Sequence, residues 1–196
     1  MMLLRRPDDE QVQRFLRAQA LLPFSYREVG ATRGEPPSEG YAVDAYEVIL
    51  GRGEACFRQA CAALDGWRMY PASWCRVYPD EGSAPRQDLV FVTRIHHLGF
   101  WSLNSCRVLY LIDDEGDVAA RGFGFGTLPG HEEEGEERFR VRWDRNTDEV
   151  RYDVLAFSRP RGLLARLGEP VARAFQRRFA RETRLAMVQA ARERPR

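Results

Sequence analysis

Residues 122–139 read GFGFGTLPGHEEEGEERF, with five glycines, one histidine and five glutamates in eighteen positions. Such a stretch suits a phosphate-cradling loop, a metal site, or two strands joined by a turn. A dinucleotide loop needs GxGxxG between a strand and a helix, so that amides at the helix start hold the pyrophosphate. Here the spacing is GxGxG and TLPG follows in place of a helix, so spacing and context both fail. Glycine alternating with Phe123 and Phe125 gives a strand with an aromatic face and a bare face. The bare face lets another backbone approach or leaves room for a ligand, and it permits strong bending. HEEEG opens like the zinc motif HExxH, but position 135 is glycine and the two-histidine helical face is missing. His131 with Glu136 or Glu137 would need ligands from elsewhere, so a solvated acidic turn is the plainer reading. Neither a metal nor a cofactor is expected.

Downstream, Phe139, Val141 and Trp143 alternate with Arg138, Arg140 and Arg142. After the turn DRNTDE, Val150, Tyr152, Val154 and Ala156 alternate with Arg151 and Asp153. The pattern predicts an antiparallel hairpin with one apolar and one wet face. Extended backward, it puts Glu137 in phase with the apolar face and Glu136 on the wet one. A carboxylate at the mouth of an apolar pocket has a raised pKa unless an arginine pairs with it. A strand that starts after Glu137 would remove the point.

Upstream, QDLVFVTRI and CRVLYLIDDEGDVAARGFGFG read as strands, with DDEGD as a turn, and the chain is β-rich from Trp74 to Phe157. His96 and His97 fall on opposite faces of an extended strand. PDDEQVQRFLRAQALL reads as an N-terminal helix through Val12, Phe15, Leu16 and Ala20, with Pro23 ending it. AYEVILG reads as a strand, GRG breaks it, and EACFRQACAALDGW restarts as a helix. LGRGEA lacks the third glycine of a phosphate loop, and Glu54 would repel an anion there. EPVARAFQRRFARETRLAMVQAARE gives the best helix signal, with a stripe of Val171, Phe175, Phe179, Ala186 and Ala190. Helix, strand, helix, several antiparallel strands and a long terminal helix make the class α+β.

Composition narrows the chemistry. All 30 basic residues are arginine, so a lysine Schiff base and the P-loop lysine are excluded. The net charge of +1 gives no global attraction to nucleic acid or an anionic membrane. Residues 113–150 carry twelve acids and five arginines, whereas 159–196 carry eleven arginines and three acids. These segments either face each other or form two solvated faces. Cys56, Cys61, Cys75 and Cys106 match no redox or zinc spacing and read as buried thiols. The start, MMLLRRPDDE, has no signal-peptide core and no apolar run approaches a membrane span, so a cytoplasmic location without membrane insertion is expected. Ser158 offers no nucleophile elbow. Trp67, Trp74, Trp101 and Trp143 read as core, with no nucleic-acid partner.

The opening stretch closely resembles the signature of uncharacterised protein family five hundred and forty-eight, also called the domain of unknown function nineteen-ninety. The resemblance continues in YREVGATRG, LGRGEACFRQACAALDGWRMYP, GFW, RVLYLIDDE, AFSRP and GEPVARAFQRRF, from about Tyr26 to Phe179. It implies one domain over 1–196, with 1–25 as a helical extension and 26–196 as the family domain, and it carries over no catalytic residues. The element order is also similar to the helix-grip superfamily of START domains, polyketide cyclases and the major birch pollen allergen. That likeness implies a curved antiparallel sheet gripping the long C-terminal helix around an apolar cavity, here with an additional N-terminal helix.

The leading expectation is a module binding a small hydrophobic or amphipathic ligand between sheet and terminal helix. Trp101, Phe123, Phe125, Thr127, His131, Glu137, Tyr152, Phe175 and Phe179 are the candidates to line or gate the pocket. An enzyme using Glu137 or His131 as general acid or base in that pocket is the alternative. A protein interaction module, whose acidic turn meets an arginine-rich helix, is a further one.

Overall fold

The computed structural model describes residues 1–78, 83–97, 99–161 and 169–193. In chain order the elements are β1 (Met2–Leu3), α1 (Asp9–Gln19), a 3-10 turn (Ala31–Arg33), β2 (Ala42–Arg52), α2 (Gly53–Asp65), β3 (Cys75–Tyr78), β4 (Val90–His97), β5 (Phe100–Asp114), β6 (Val118–Thr127), β7 (Glu133–Asp144), β8 (Glu149–Pro160) and α3 (Glu169–Arg192). Among the described residues the strands form one eight-stranded sheet in the order β2-β8-β7-β6-β5-β4-β3, with β1 laid against the start of β5. Every pairing is antiparallel. Register shifts at Ile49/Gly51 and Val108/Tyr110 insert bulges, which bend and twist the strands locally.

The curved sheet grips α3 on its concave side. The β7–β8 hairpin sets that face: Phe139 lies opposite Val154, Val141 opposite Tyr152 and Trp143 opposite Val150. Phe123 joins them from β6, its ring 5.8 Å from Phe139 in an edge contact and 5.2 Å from Trp67. Such pairs contribute about 0.5–1.5 kcal/mol each beyond area burial. α2 packs Ala60, Cys61, Ala63 and Leu64 into the same core. The small residues let the helix lie close to the strands. α3 packs across α2, β2 and β8.

The periodicity of α3 departs from its expected stripe. Among its described side chains Thr183, Met187, Ala190 and Ala191 are buried, while Ala186 is only half-buried. Thr183 breaks the apolar pattern in sequence but fits because its hydroxyl bonds the Tyr152 hydroxyl at 3.1 Å. The Val171 side chain lies outside the described residues.

The opposite, convex face is partly covered. α1 is closed by a capping box: Gln11 N–H donates to the Asp8 carboxylate at 2.8 Å, and Asp8 N–H donates to Gln11 Oε1 at 3.0 Å. It lays Val12, Phe15 and Leu16 on Tyr78, Val92 and Leu103. The helix ends at Gln19, before Pro23. Arg138, Arg140 and Arg142, expected in solvent, converge on the buried Asp153 at 3.1, 3.0 and 2.9 Å. A carboxylate covered by neighbouring chain keeps its charge only if several donors replace water.

Candidate functional site

Between the concave face and the N-terminal half of α3 lies a cavity of about 1020 Å³. Protein interiors otherwise pack at nearly crystal density, so a void of this size is a feature of the fold. Phe175, Gln176, Phe179 and Ala180 of α3 stand over it, while the Thr183–Ala191 half of the helix is pressed into the core. Trp74 and Tyr70 line it from the segment that follows α2. Trp74 reaches α3 by donating its indole N–H to Glu182 at 2.5 Å.

Six expected residues meet on this wall: Phe125, Thr127, His131, Glu137, Phe175 and Phe179. Three do not. Trp101 alternates out of phase with Phe100, Ser102 and Asn104, so it points to the convex side and stacks on His96 at 4.4 Å. Phe123 and Tyr152 lie on the concave face but deeper, where they fill the core under α2 and α3. His97 is on the cavity side, as expected for the opposite face from His96, with its ring 5.1 Å from Phe175. Burial holds its pKa below the ordinary imidazole value.

One polar patch escaped the sequence reading. Thr93 and Asn104 are cross-strand partners on β4 and β5, both line the cavity, and Asn104 donates to the Ser102 hydroxyl at 3.2 Å. The signal was present: these polar residues sit on the apolar phase of FVTRI and FWSLNSC.

Glu137 sits in a row across the sheet, Phe125 on one side and Ala156 on the other. Its carboxyl makes no hydrogen bond or ion pair with a described residue, and its pKa is pushed up to about 8. Burial is the main cause, with the nearby acids Glu133 and Asp44 adding to it. At neutral pH it is therefore mostly a carboxylic acid, a hydrogen-bond donor in a wall of rings. His131 has the reverse problem. Burial, the terminal ammonium and Arg161 pull its pKa down to about 4, and its Nδ1 accepts the Glu133 N–H at 2.9 Å, a bond that also needs the neutral ring. With Nδ1 accepting, the neutral ring carries its proton on Nε2. Thr127 is less available, because its hydroxyl is shared with Ser25 at 2.7 Å and receives Gly135 N–H at 3.0 Å.

The bare face of GFGFG has a structural use. A Cβ on Gly124 would overlap the Tyr110 ring, and one on Gly126 would overlap the Tyr26 hydroxyl. Both rings belong to the convex covering, where Glu136 also points. The Glu136 carboxylate accepts Tyr26 O–H and Gly30 N–H at 2.7 Å each, Thr32 N–H at 2.9 Å, and the Thr32 hydroxyl. The other glutamates of the acidic turn are also engaged: Glu132 with the Met1 ammonium, Glu133 with Gln176 of α3, and Glu134 with Arg159. The acidic turn therefore touches α3 through Gln176, while the arginine that pairs with Glu134 belongs to β8. Among the described residues no group of three or more His, Cys, Asp or Glu could hold a metal ion, and no helix is long and apolar enough to cross a membrane.

Comparison with known proteins follows the same lines. A UPF0548 protein of Deinococcus radiodurans is 36% identical, covering 97% of this chain and 99% of its own. One of Dictyostelium discoideum is 31% identical, covering 97% and 95%. The crystal structure of a hypothetical protein from Helicobacter pylori superimposes with a TM-score of 0.55 at 15% identity, over 80% of this chain and 91% of the other. At that identity the likeness shows a shared fold and nothing of function. Residues 25–185 match the family described as Domain of unknown function (DUF1990), and the chain belongs to that family.

Proposed function

We propose that this protein is a cytosolic module that binds one small hydrophobic or amphipathic molecule between its sheet and α3. The observation that carries the reading is the cavity of about 1020 Å³, walled by rings from β6, α3 and the segment after α2. Ligand sites are typically apolar clefts of about 300–1,000 Å³ with a few placed polar groups. Glu137 and the Thr93–Ser102–Asn104 patch are such groups. Native mass spectrometry of the protein purified from its own source tests this: a small molecule should leave with the folded protein and be lost on denaturation.

A second reading is favoured by one specific feature. A carboxyl group with a pKa of about 8 is suited to general acid or base work near neutrality, so the same cavity could turn over a cyclic or carbonyl substrate. Glu137→Gln would then abolish turnover while sparing binding.

A further inference from the structure

Two polar groups on the cavity wall, Tyr46 and Glu137, lack a partner among the described residues, and the charge of Glu137 bears on the Tyr46 hydroxyl. The Tyr46 hydroxyl is buried and makes no hydrogen bond. Native folds rarely leave such a group unpaired, and each instance calls for an explanation such as a bound molecule. The other buried unpaired atom among the described residues, Arg138 Nε, lies on the convex face, where its guanidinium already donates to Thr32 O and Asp153. Tyr46 is different because its residue lines the cavity, although the hydroxyl itself is covered there. Its strand neighbour Asp44 shares a row with Ala156 and Glu137, and Tyr46 follows two residues later on the same face. After burial, the charge of Glu137 is the largest influence on the Tyr46 hydroxyl.

We propose that Tyr46 and Glu137 together donate hydrogen bonds to one neutral acceptor oxygen, the carbonyl of a ketone, ester or lactone, on the hydrophobic molecule that fills this cavity. The proposal rests on the binding reading above and specifies the ligand's polar head. A fatty carboxylate would bring its negative charge to a wall that holds Glu133 and Asp44 beside the neutral Glu137, and would answer to Arg161 and Arg177 in place of the two donors. An alkylammonium would require Glu137 to ionise where burial opposes it. A neutral acceptor needs neither, and it meets both orphaned groups in the form they hold at neutral pH.

The same pairing predicts a pH dependence. Around Glu137 stand Glu133 on its own strand, Asp44 and Tyr46 from β2, Tyr152 from β8, Cys106 from β5 and Tyr70 after α2. From α3, Gln176 and Arg177 reach the wall and Arg184 lies over the Tyr46 ring at 5.2 Å, while Cys75, His97, His131, Glu132, Glu136 and Arg161 also belong to the lining. Burial moves the tyrosines and Cys106 upward and the two histidines downward, away from the interval in which Glu137 loses its proton. Ionised Glu137 cannot donate, so a carbonyl ligand is released as pH rises.

Displacement of neutral N-phenyl-naphthylamine by a medium-chain methyl ketone, and by the carboxylate and ammonium of matched length, tests this. The ketone should compete best at pH 7 and weaken about 30-fold by pH 9.5, the factor for losing a proton with a pKa near 8. Glu137→Gln, which donates at every pH, should hold the ketone affinity at pH 9.5. That result would also assign the effect to Glu137 and not to the Met1 amino group that pairs with Glu132 on the same wall. Tyr46→Phe should weaken the ketone about 3- to 10-fold, the worth of one hydrogen bond. Tighter binding of the ammonium, strengthening above pH 8, would overturn the proposal, as would tighter binding of the carboxylate. Ketone binding indifferent to pH and to Glu137 would overturn it while leaving the binding reading intact. If neither the reporter nor any of the three bound, the binding reading would fall as well.

Discussion

Glu136 and Glu137 are neighbours on β7 whose side chains leave opposite faces of the sheet. One accepts four hydrogen bonds from the convex covering, and the other faces the cavity with no partner among the described residues. The period of two in a strand produces this division. One carboxylate anchors the chain of residues 26–32; the other is left to the cavity, where we propose that function lies.

Removing Glu136 should therefore unfold the covering. Glu136→Ala leaves Tyr26, Gly30 and Thr32 without their acceptor and should cost about 3 kcal/mol or more, since hydrogen bonds to a charged group are the strong ones. That corresponds to about 6–12 °C in Tm, read by thermal unfolding. Glu136→Gln keeps one acceptor oxygen and should lose less.

Glu137 should behave in the opposite sense. Its folded pKa is raised above the ordinary value of 4.5 to about 8, so the folded state holds the proton more tightly than the unfolded one. The stability it contributes is complete below pH 4.5 and disappears as pH rises to about 8. Urea unfolding of Glu137→Gln should match the native chain near pH 4.5 and exceed it at pH 9. Equal loss at both values would mean that the carboxyl holds the fold together.

His131 titrates with the other sign. Its pKa falls from 6.5 to about 4, so its contribution is complete above pH 6.5 and is lost as pH drops toward 4. His131→Gln should flatten that part of the stability curve. Unfolding measured at pH 7 and pH 5 separates it from Glu137, whose contribution grows over the same descent.

The alternating glycines should tolerate no side chain. Gly124→Ala places a methyl group against the Tyr110 ring and should cost about 1–3 kcal/mol as overpacking. Combining it with Tyr110→Ala should be less damaging than the two single costs added, by about 0.5–3 kcal/mol, because the residues share the strain.

Much of the architecture could be read from alternation. Phe139, Val141, Val150, Tyr152 and Val154 announced the hairpin, and Phe125 and Glu137 fell on its apolar phase. Reading failed where a residue's surroundings come from far along the chain. Arg138 and Glu136 looked wet because their pattern is that of an exposed face, whereas residues 26–32 supply a cover from more than 100 positions away. Trp101 falls on the convex phase of FWSLNSC, opposite Phe100, Ser102 and Asn104, and the bulk of an indole alone does not tell the two faces apart. Thr183 and Asn104 were missed because each is polar on a buried phase, with its partner on another element or two residues along the strand.

The central claim is that the space beneath α3 takes up a small apolar molecule, and fluorescence titration with N-phenyl-naphthylamine tests it most directly. Ala156 and Ala180 face the cavity from β8 and α3. The native chain should bind the reporter saturably, one to one, and Ala156→Phe or Ala180→Phe should remove that binding while the far-ultraviolet circular dichroism of the fold is kept. Absent or unsaturable binding by the native chain, or binding unchanged when the cavity is filled, would contradict the account.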